Sequence, residues 1–167
     1  MRGPIVVGTD GSETSRLAIA EAMSISKGTG QTVVVVHVRH APLAGLHVLG
    51  AMSHGASDVQ NALSAVQSLA EAQSIAILEP ASVCWRFDVR SGEPAAELIR
   101  AATEFKADMI VVAGRRHGVL GSITSGSVCA QLLHQWTGSL LVIRPPRMLW
   151  ATTCLERLRP PRATFGD

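Results

Sequence analysis

The feature that most constrains the fold is a series of short aliphatic, β-branched runs separated by helix-length segments. The continuous runs are PIVVGTD (4–10), QTVVVVHV (31–38), ADMIVVAG (107–114) and GSLLVIR (138–144). Because they are apolar along their length, they predict strands covered on both faces, as in a parallel sheet. A fifth run, SVCWRFDVR (82–90), alternates apolar and polar residues and predicts an edge or half-exposed strand.

Segments with helical spacing of apolar residues lie between these strands. The first spans about 14–27, where Ser12 or Thr14 is a candidate N-cap and Gly28-Thr29-Gly30 an end signal. The second spans about 57–77 and shows a stripe of Val59, Ala62, Leu63, Val66, Ala70 and Gln73. The third starts at Ser91-Gly92-Glu93-Pro94, and the fourth lies near 126–136. Strands alternating with helices predict an α/β fold with a mainly parallel sheet and right-handed crossovers.

The chain suits one domain with a basic extension. Its 167 residues are 47% hydrophobic and 17% charged, which is a globular composition. We predict an α/β domain over 1–146 and a basic, partly disordered tail over 147–167, with a short helix near 149–158. The net charge is +2, and five arginines from Arg144 onward account for its sign. The body therefore has no basic nucleic-acid footprint, and we expect no nucleic-acid partner.

The lengths of the apolar runs and the spacing of the cysteines limit the classes of protein to which the chain can belong. No apolar run approaches the roughly 20 residues that span a bilayer, and the N-terminal run is shorter than the roughly 7–15 of a signal peptide. We expect a cytoplasmic protein without a membrane partner. Cys84, Cys129 and Cys154 have neither metal-ligand nor disulfide-framework spacing. The first two are interpreted as buried, inert thiols, and no metal site is predicted.

Two polar, glycine-containing loops follow predicted strands. They are TDGSETS (9–15) after strand 1 and AGRRHGVLGSITSGS (113–127) after strand 4. If strands 1 and 4 are neighbours, both loops face one crevice, where free backbone N–H groups and a helix N-terminus suit phosphate. Arg115, Arg116 and His117 add positive charge, and Asp10 would accept from a ribose hydroxyl or contact a metal. The alternatives without a binding role are a glycine that only ends the strand, an Asp10 that caps the helix, and loop cations exposed to solvent.

Other phosphate motifs do not fit. No G-x-x-x-x-G-K-[ST] occurs, and no G-x-G-x-x-G follows strand 1. A phosphoacceptor receiver domain pairs acids after strand 1, whereas Asp10 stands alone and strand 3 ends in Arg90-Ser91-Gly92. These classes are therefore disfavoured.

Three stretches together resemble the universal stress protein family. They are IVVGTDGSETSRLAIAEA, VVVVHV and ADMIVVAGRRHGVLGSITSGSVCAQLLH with the following GSLLVIR, and the resemblance covers about 3–144. It implies a five-stranded, Rossmann-like sheet in the order 3-2-1-4-5 with helices on both faces. It also implies adenine-nucleotide binding, with ATP and accompanying Mg²⁺ as the expected cofactor, and dimerisation through the last strand.

The resemblance assigns site residues by position. Asp10, after Thr9, would meet the ribose or adenine, and the Val38 backbone would meet adenine. The phosphates would meet Gly114, Gly118, Gly126 and Ser127, beside Val128, with Arg115 and Arg116 in the same loop. ATP-binding members have a Gly, two residues, a Gly, nine residues and then Gly-Ser or Gly-Thr. Here Gly126-Ser127 fits the end, but Arg116 and Ala113 stand at the two earlier glycine positions. Arg116 would either block the phosphate path or bind phosphate itself.

Three functions remain open at this point. The first is an ATP-binding stress-response regulator that acts as a homodimer. The second is a nucleotide-free dimeric adaptor that binds a protein partner. The third is an enzyme such as a slow ATPase; no catalytic residue is assigned, because no base or metal cluster accompanies the loop, and we expect slow or absent turnover. The dimer would pair Leu141, Val142 and Ile143 of the apolar edge strand across a twofold axis.

Overall fold

A computed structural model describes residues 2–39, 55–114 and 128–144 of the chain. The strands are β1 (Ile5–Thr9), β2 (Val33–Arg39), β3 (Trp85–Ser91), β4 (Met109–Ala113) and β5 (Ser139–Ile143). The helices are α1 (Glu13–Thr29), α2 (Gly55–Leu78), α3 (Pro94–Glu104) and α4 (Val128–Gln135), and a single 3₁₀ turn, Glu79–Ala81, follows α2.

The strands form one sheet in the order β3-β2-β1-β4-β5, and each neighbouring pair is parallel. This confirms the predicted fold class and strand order. Because β2 and β3 lie to one side of β1 while β4 and β5 lie to the other, the strand order reverses between β1 and β4. Ligands of open α/β sheets bind beyond the carboxyl ends of strands at such a reversal.

The sheet is covered on both faces, as the continuous apolar runs predict. Ile5, Val6 and Val7 are all fully buried, so β1 contributes side chains to both layers. One core lies under α1 and the end of α2 and includes Val35, Ile19 and Leu78. The other lies under α3 and α4 and includes Val36, Leu98 and Leu132.

Local signals set the helix ends. The Ser12 hydroxyl is the N-cap of α1 and accepts from the Ser15 N–H at 3.2 Å. Gly30 ends α1 in the left-handed region, at φ 73°, where glycine has no Cβ to clash. At α3 the Glu93 carboxylate caps the Ala96 N–H at 3.0 Å, and Pro94 begins the helix. These positions agree with the sequence signals.

The expected burial of Cys84 is wrong. Cys84 is exposed and precedes β3, because that strand begins at Trp85 and not at residue 82. Val66 is 41% exposed, although it falls in the predicted apolar stripe of α2. The residues that this helix buries are Ala70, Ser74 and Leu78, which lie nearer its C-terminal end. Cys129 is half-buried. The predicted tail, its helix and Cys154 lie outside the described residues, so the domain boundary at 146 stays a prediction.

Candidate functional site

The sheet opens at the reversal between β1 and β4. The last paired residues of these strands are Val7 and Val111, although β1 continues to Thr9 and β4 to Ala113. On the other side of β4, pairing with β5 continues as far as Ala113 and Ile143. The pairing of the two inner strands therefore stops before their carboxyl ends, where a crevice is expected at a strand-order reversal.

The loop after β1 is ordered by its own side chains. The buried Thr9 hydroxyl donates to Ser15 Oγ at 3.1 Å and accepts from the Gly11 N–H at 3.3 Å. The exposed Asp10 carboxylate accepts from the Ser12 N–H at 3.0 Å, which forms an Asx turn. Thr9 therefore holds the loop from within, whereas Asp10 lies at the rim of the crevice. The alternative that Asp10 caps the helix is wrong, because Ser12 is the N-cap; Asp10 instead orders the turn that contains Ser12.

Helix α2 holds the same loop from outside. Gln73 Nε2 donates to the Gly11 carbonyl at 3.0 Å. Gly11 has φ +76°, and a Cβ on it would lie 3.3 Å from the Val66 carbonyl oxygen. Glycine is required here both by the left-handed backbone and by the close approach of α2. The loop that bears Asp10 is thus fixed between α1 and α2.

The end of β2 places polar residues beside β1. His37 is 4% exposed, and its Nδ1 lies 3.1 Å from the Thr9 carbonyl oxygen; with the proton on Nδ1 it donates to that carbonyl. Val38 packs against the core under α3. Arg39 ends the strand, and its Nε donates to Gln67 Oε1 of α2 at 2.8 Å, with Nη2 on the same oxygen. Val38 lies one residue beyond the last pair between β2 and β1, Thr9 with His37, and its backbone contact with adenine stays a prediction.

The other wall consists of the end of β4 and the start of α4. The Gly114 N–H donates to the Ile143 carbonyl at 2.8 Å, and a Cβ on Gly114 would lie 3.0 Å from Val142 Cγ1. Val128 is the first described residue of α4 and packs against the core. The Cys129 thiol contacts the Ala113 carbonyl at 3.6 Å. Burial raises the pKa of Cys129 despite an opposing effect of Arg144, so the thiol stays protonated near neutral pH.

Half of the predicted site residues can be placed. Thr9, Asp10, Val38 and Gly114 lie at the carboxyl edge of the sheet, on β1 and β2 or directly after β1 and β4, and Val128 is the first residue of α4. The other predicted site residues lie outside the described residues: Arg115, Arg116, Gly118, Gly126 and Ser127. Their contacts with phosphate stay predictions, as does the alternative that Arg116 blocks the path.

Sequence reasoning missed three side chains at this edge. They are His37 and Arg39 at the end of β2 and Gln73 on α2. A signal existed for the first two, because VVVVHVR switches from a buried run to polar residues at a strand end. Gln73 gives no such signal, since only the packing of α2 onto Gly11 reveals its role.

The described residues contain neither a metal-ligand cluster nor a helix that could span a membrane. Across 2–39, 55–114 and 128–144, no three His, Cys, Asp or Glu side chains cluster as metal ligands would. Within the same ranges, no helix combines the length and apolarity needed to cross a membrane. A cytoplasmic location stays a prediction.

Comparisons with known proteins agree with this architecture. The universal stress protein MJ0531 of Methanocaldococcus jannaschii is 28% identical over 148 residues, which cover 86% of this chain and 82% of that protein. A universal stress protein of Archaeoglobus fulgidus, solved in complex with dAMP, has a TM-score of 0.59 at 18% identity, over 84% of this chain and 97% of the other. A universal stress protein solved in complex with cAMP has a TM-score of 0.57 at 22% identity, over 86% and 98%.

The family model gives the same result over a stretch of similar length. The model of the universal stress protein family matches residues 1–144, which include all described elements and the crevice between β1 and β4. The chain belongs to the universal stress protein family.

Proposed function

We propose that this protein binds an adenine nucleotide, ATP with Mg²⁺ in the first place, in the crevice between β1 and β4. The observation that supports this most directly is the early end of the β1–β4 ladder at Val7 and Val111, with Asp10 at the rim. Two proteins of the same fold were solved with adenine nucleotides, cAMP and dAMP. In this proposal Asp10 accepts from the ribose, and the loop after Gly114 surrounds the phosphates.

The proposed role is regulatory, with binding and not turnover as the activity. We propose a cytoplasmic homodimer that responds to adenine nucleotide in stress and pairs through β5, which lies at one edge of the sheet. The described walls offer Thr9, Asp10 and a Cys129 thiol held protonated by burial, and Thr9 already uses its hydroxyl within the loop. His37, which lies beside Thr9, has its Nδ1 on the Thr9 carbonyl oxygen and not on the hydroxyl.

A nucleotide-free adaptor is the second candidate. It is favoured by two apolar side chains three residues apart on α2, Val66 and Leu69, which are 41% and 52% exposed. The altered glycine spacing between Gly114 and Gly126 also supports it. In this alternative the exposed face of α2 binds a protein partner.

Thermal unfolding separates the two candidates. A ligand that binds only the native state raises its stability by mass action, about 2.7 kcal/mol at 100 times the Kd. For a domain of this size, we expect Mg-ATP at that concentration to raise the Tm by about 5–10 °C. Gly126→Val should remove the rise while leaving the Tm without ligand nearly unchanged, and Asp10→Ala should reduce it.

The controls are Mg²⁺ alone, ATP with a chelator, and GTP. A rise with ATP and chelator equal to that with Mg-ATP would remove Mg²⁺ from the proposal. An unchanged Tm at millimolar nucleotide, together with no heat of binding in calorimetry, would contradict nucleotide binding and favour the adaptor.

A further inference from the structure

Arg39 extends β2 beyond the end of β1, on the side of the crevice. Thr9 at the end of β1 is paired with His37, and β2 continues for two more residues, to Arg39. With a rise of about 3.3 Å per residue, Arg39 lies roughly 7 Å beyond the end of β1, on the adjacent strand. Its backbone is fixed there, since the Arg39 carbonyl accepts from the Gly92 N–H at 3.2 Å.

The side chain of Arg39 is held in place by a neutral group. Nε and Nη2 both donate to Gln67 Oε1, so the guanidinium is oriented while its charge is not neutralised. Among residues 2–39, 55–114 and 128–144, no carboxylate forms an ion pair with Arg39, and Nη1 has no hydrogen-bond partner. The guanidinium therefore has donors and charge available for an anion.

The neighbouring arginine on β3 shows the contrast. Arg90, paired in register with Val38, contacts Asp88 at 2.8 Å, Glu104 at 2.7 Å and Glu97 at 4.0 Å. Burial lowers the pKa of Arg90, but its hydrogen bonds to Glu104 and Asp88 outweigh this and raise the pKa overall. Arg90 is thus committed to an ion-pair network within the protein, whereas Arg39 is not.

Arg39 occupies a strand position that contacts the ribose in dinucleotide-binding sheets. In dinucleotide-binding sheets, whose first half also runs 3-2-1, an acidic residue beyond the second strand binds the ribose 2′-hydroxyl, whereas an arginine there accommodates a 2′-phosphate. This chain ends the second strand in arginine. A guanidinium recognises phosphate through charge-assisted, often bidentate, hydrogen bonds.

We propose that Arg39, oriented by Gln67, makes the site selective for adenine nucleotides that bear a phosphate monoester on the ribose 2′ or 3′ oxygen. This inference rests on the proposed adenine-nucleotide site and adds the ligand class that the site prefers. Asp10 and Arg39 would then divide the ribose between them: Asp10 accepts from the remaining hydroxyl, and Arg39 binds the phosphate.

Titration calorimetry with four probes tests the proposal: AMP, ADP, adenosine 2′,5′-bisphosphate and adenosine 3′,5′-bisphosphate. ADP is the comparator with the same number of phosphates, all on the 5′ oxygen. One charge-assisted contact corresponds to about a tenfold to hundredfold change in Kd, so we expect one of the two bisphosphates to bind more tightly than AMP by that factor. The isomer that does so identifies the ribose oxygen.

Two variants assign the effect to Arg39. Arg39→Gln should abolish the preference for the bisphosphate over AMP while leaving the Kd of AMP within about threefold. Arg100→Gln is the matched control: Arg100 is an exposed arginine paired with Glu97 on α3, and its loss should leave the preference intact. Gln67→Leu should weaken the preference without abolishing it, because the charge remains but its orientation is lost.

The outcomes separate this inference from the proposed function. If AMP and ADP bind but neither bisphosphate is preferred over both of them, or if the preference survives in Arg39→Gln, the selectivity is overturned and the nucleotide site stands. If none of the four probes nor ATP binds, both proposals are overturned.

Discussion

Replacing Leu132 with alanine is expected to lower the free energy of unfolding by about 2–5 kcal/mol, the cost of truncating a fully buried leucine. Leu132 is the one fully buried residue of α4 and packs in the core with Leu98 and Val112. The cost combines lost burial with the cavity left between α4 and the sheet. The loss of stability should lower the urea concentration at the unfolding midpoint, while the dependence of the unfolding free energy on urea concentration stays unchanged.

The adjacent residue is a matched control of the same type. Leu133 is 69% exposed, so Leu133→Ala should change stability by no more than about 0.5 kcal/mol. Similar losses for the two variants would show that α4 is not seated on the sheet through Leu132. Because α4 begins directly after the predicted phosphate loop, Leu132→Ala should also weaken any thermal shift by nucleotide.

The second large effect concerns assembly. We expect Val142→Asp to convert a homodimer into a monomer, since a twofold axis through β5 brings the two introduced carboxylates close together in an apolar interface. β5 lies at the sheet edge, and its Leu141, Val142 and Ile143 are only partly buried by the rest of the chain. Analytical ultracentrifugation at tens of micromolar protein measures the change, with circular dichroism to confirm the fold.

A second variant covers the case in which aspartate disturbs the core. Ile143 directs its carbonyl to the Gly114 N–H at 2.8 Å, so by alternation the backbone groups of Val142 face the open edge. Val142→Pro therefore removes an outward N–H and no bond to β4, which makes it compatible with an edge strand. Leu141→Pro, which removes an inward N–H, should instead destabilise β5. A wild-type chain that sediments as a monomer would contradict the dimer.

The structural features that could be predicted from the sequence are those that depend on residues close together in the chain. Continuous runs such as IVVGT and VVVVHV predict buried parallel strands, because each residue faces one of two apolar layers. Helix ends at Ser12, Gly30 and Pro94 were predictable, because capping and left-handed glycine depend on a few neighbouring residues. The strand order came from the resemblance to a family and not from these local patterns.

The candidate site was predictable only in part. Asp10, Val38 and Gly114 follow from where strands end in the chain, and strand ends can be read from hydropathy. The remainder required knowledge of which segments pack together. Gln73 contacts Gly11 across 62 positions, and Arg39 contacts Gln67 across 28. Neither pair has a spacing that a local pattern would mark.

The sequence by itself determined the alternation of strands and helices, the helix caps and the membership in a family, because these depend on local preference and on order along the chain. Only the tertiary structure decided that Cys84 is exposed, that Leu132 is buried while Leu133 is not, and that Arg39 remains without a carboxylate partner among the described residues. The physical reason is that burial and charge pairing depend on which elements meet in space. Neighbouring residues of one type can therefore have opposite environments.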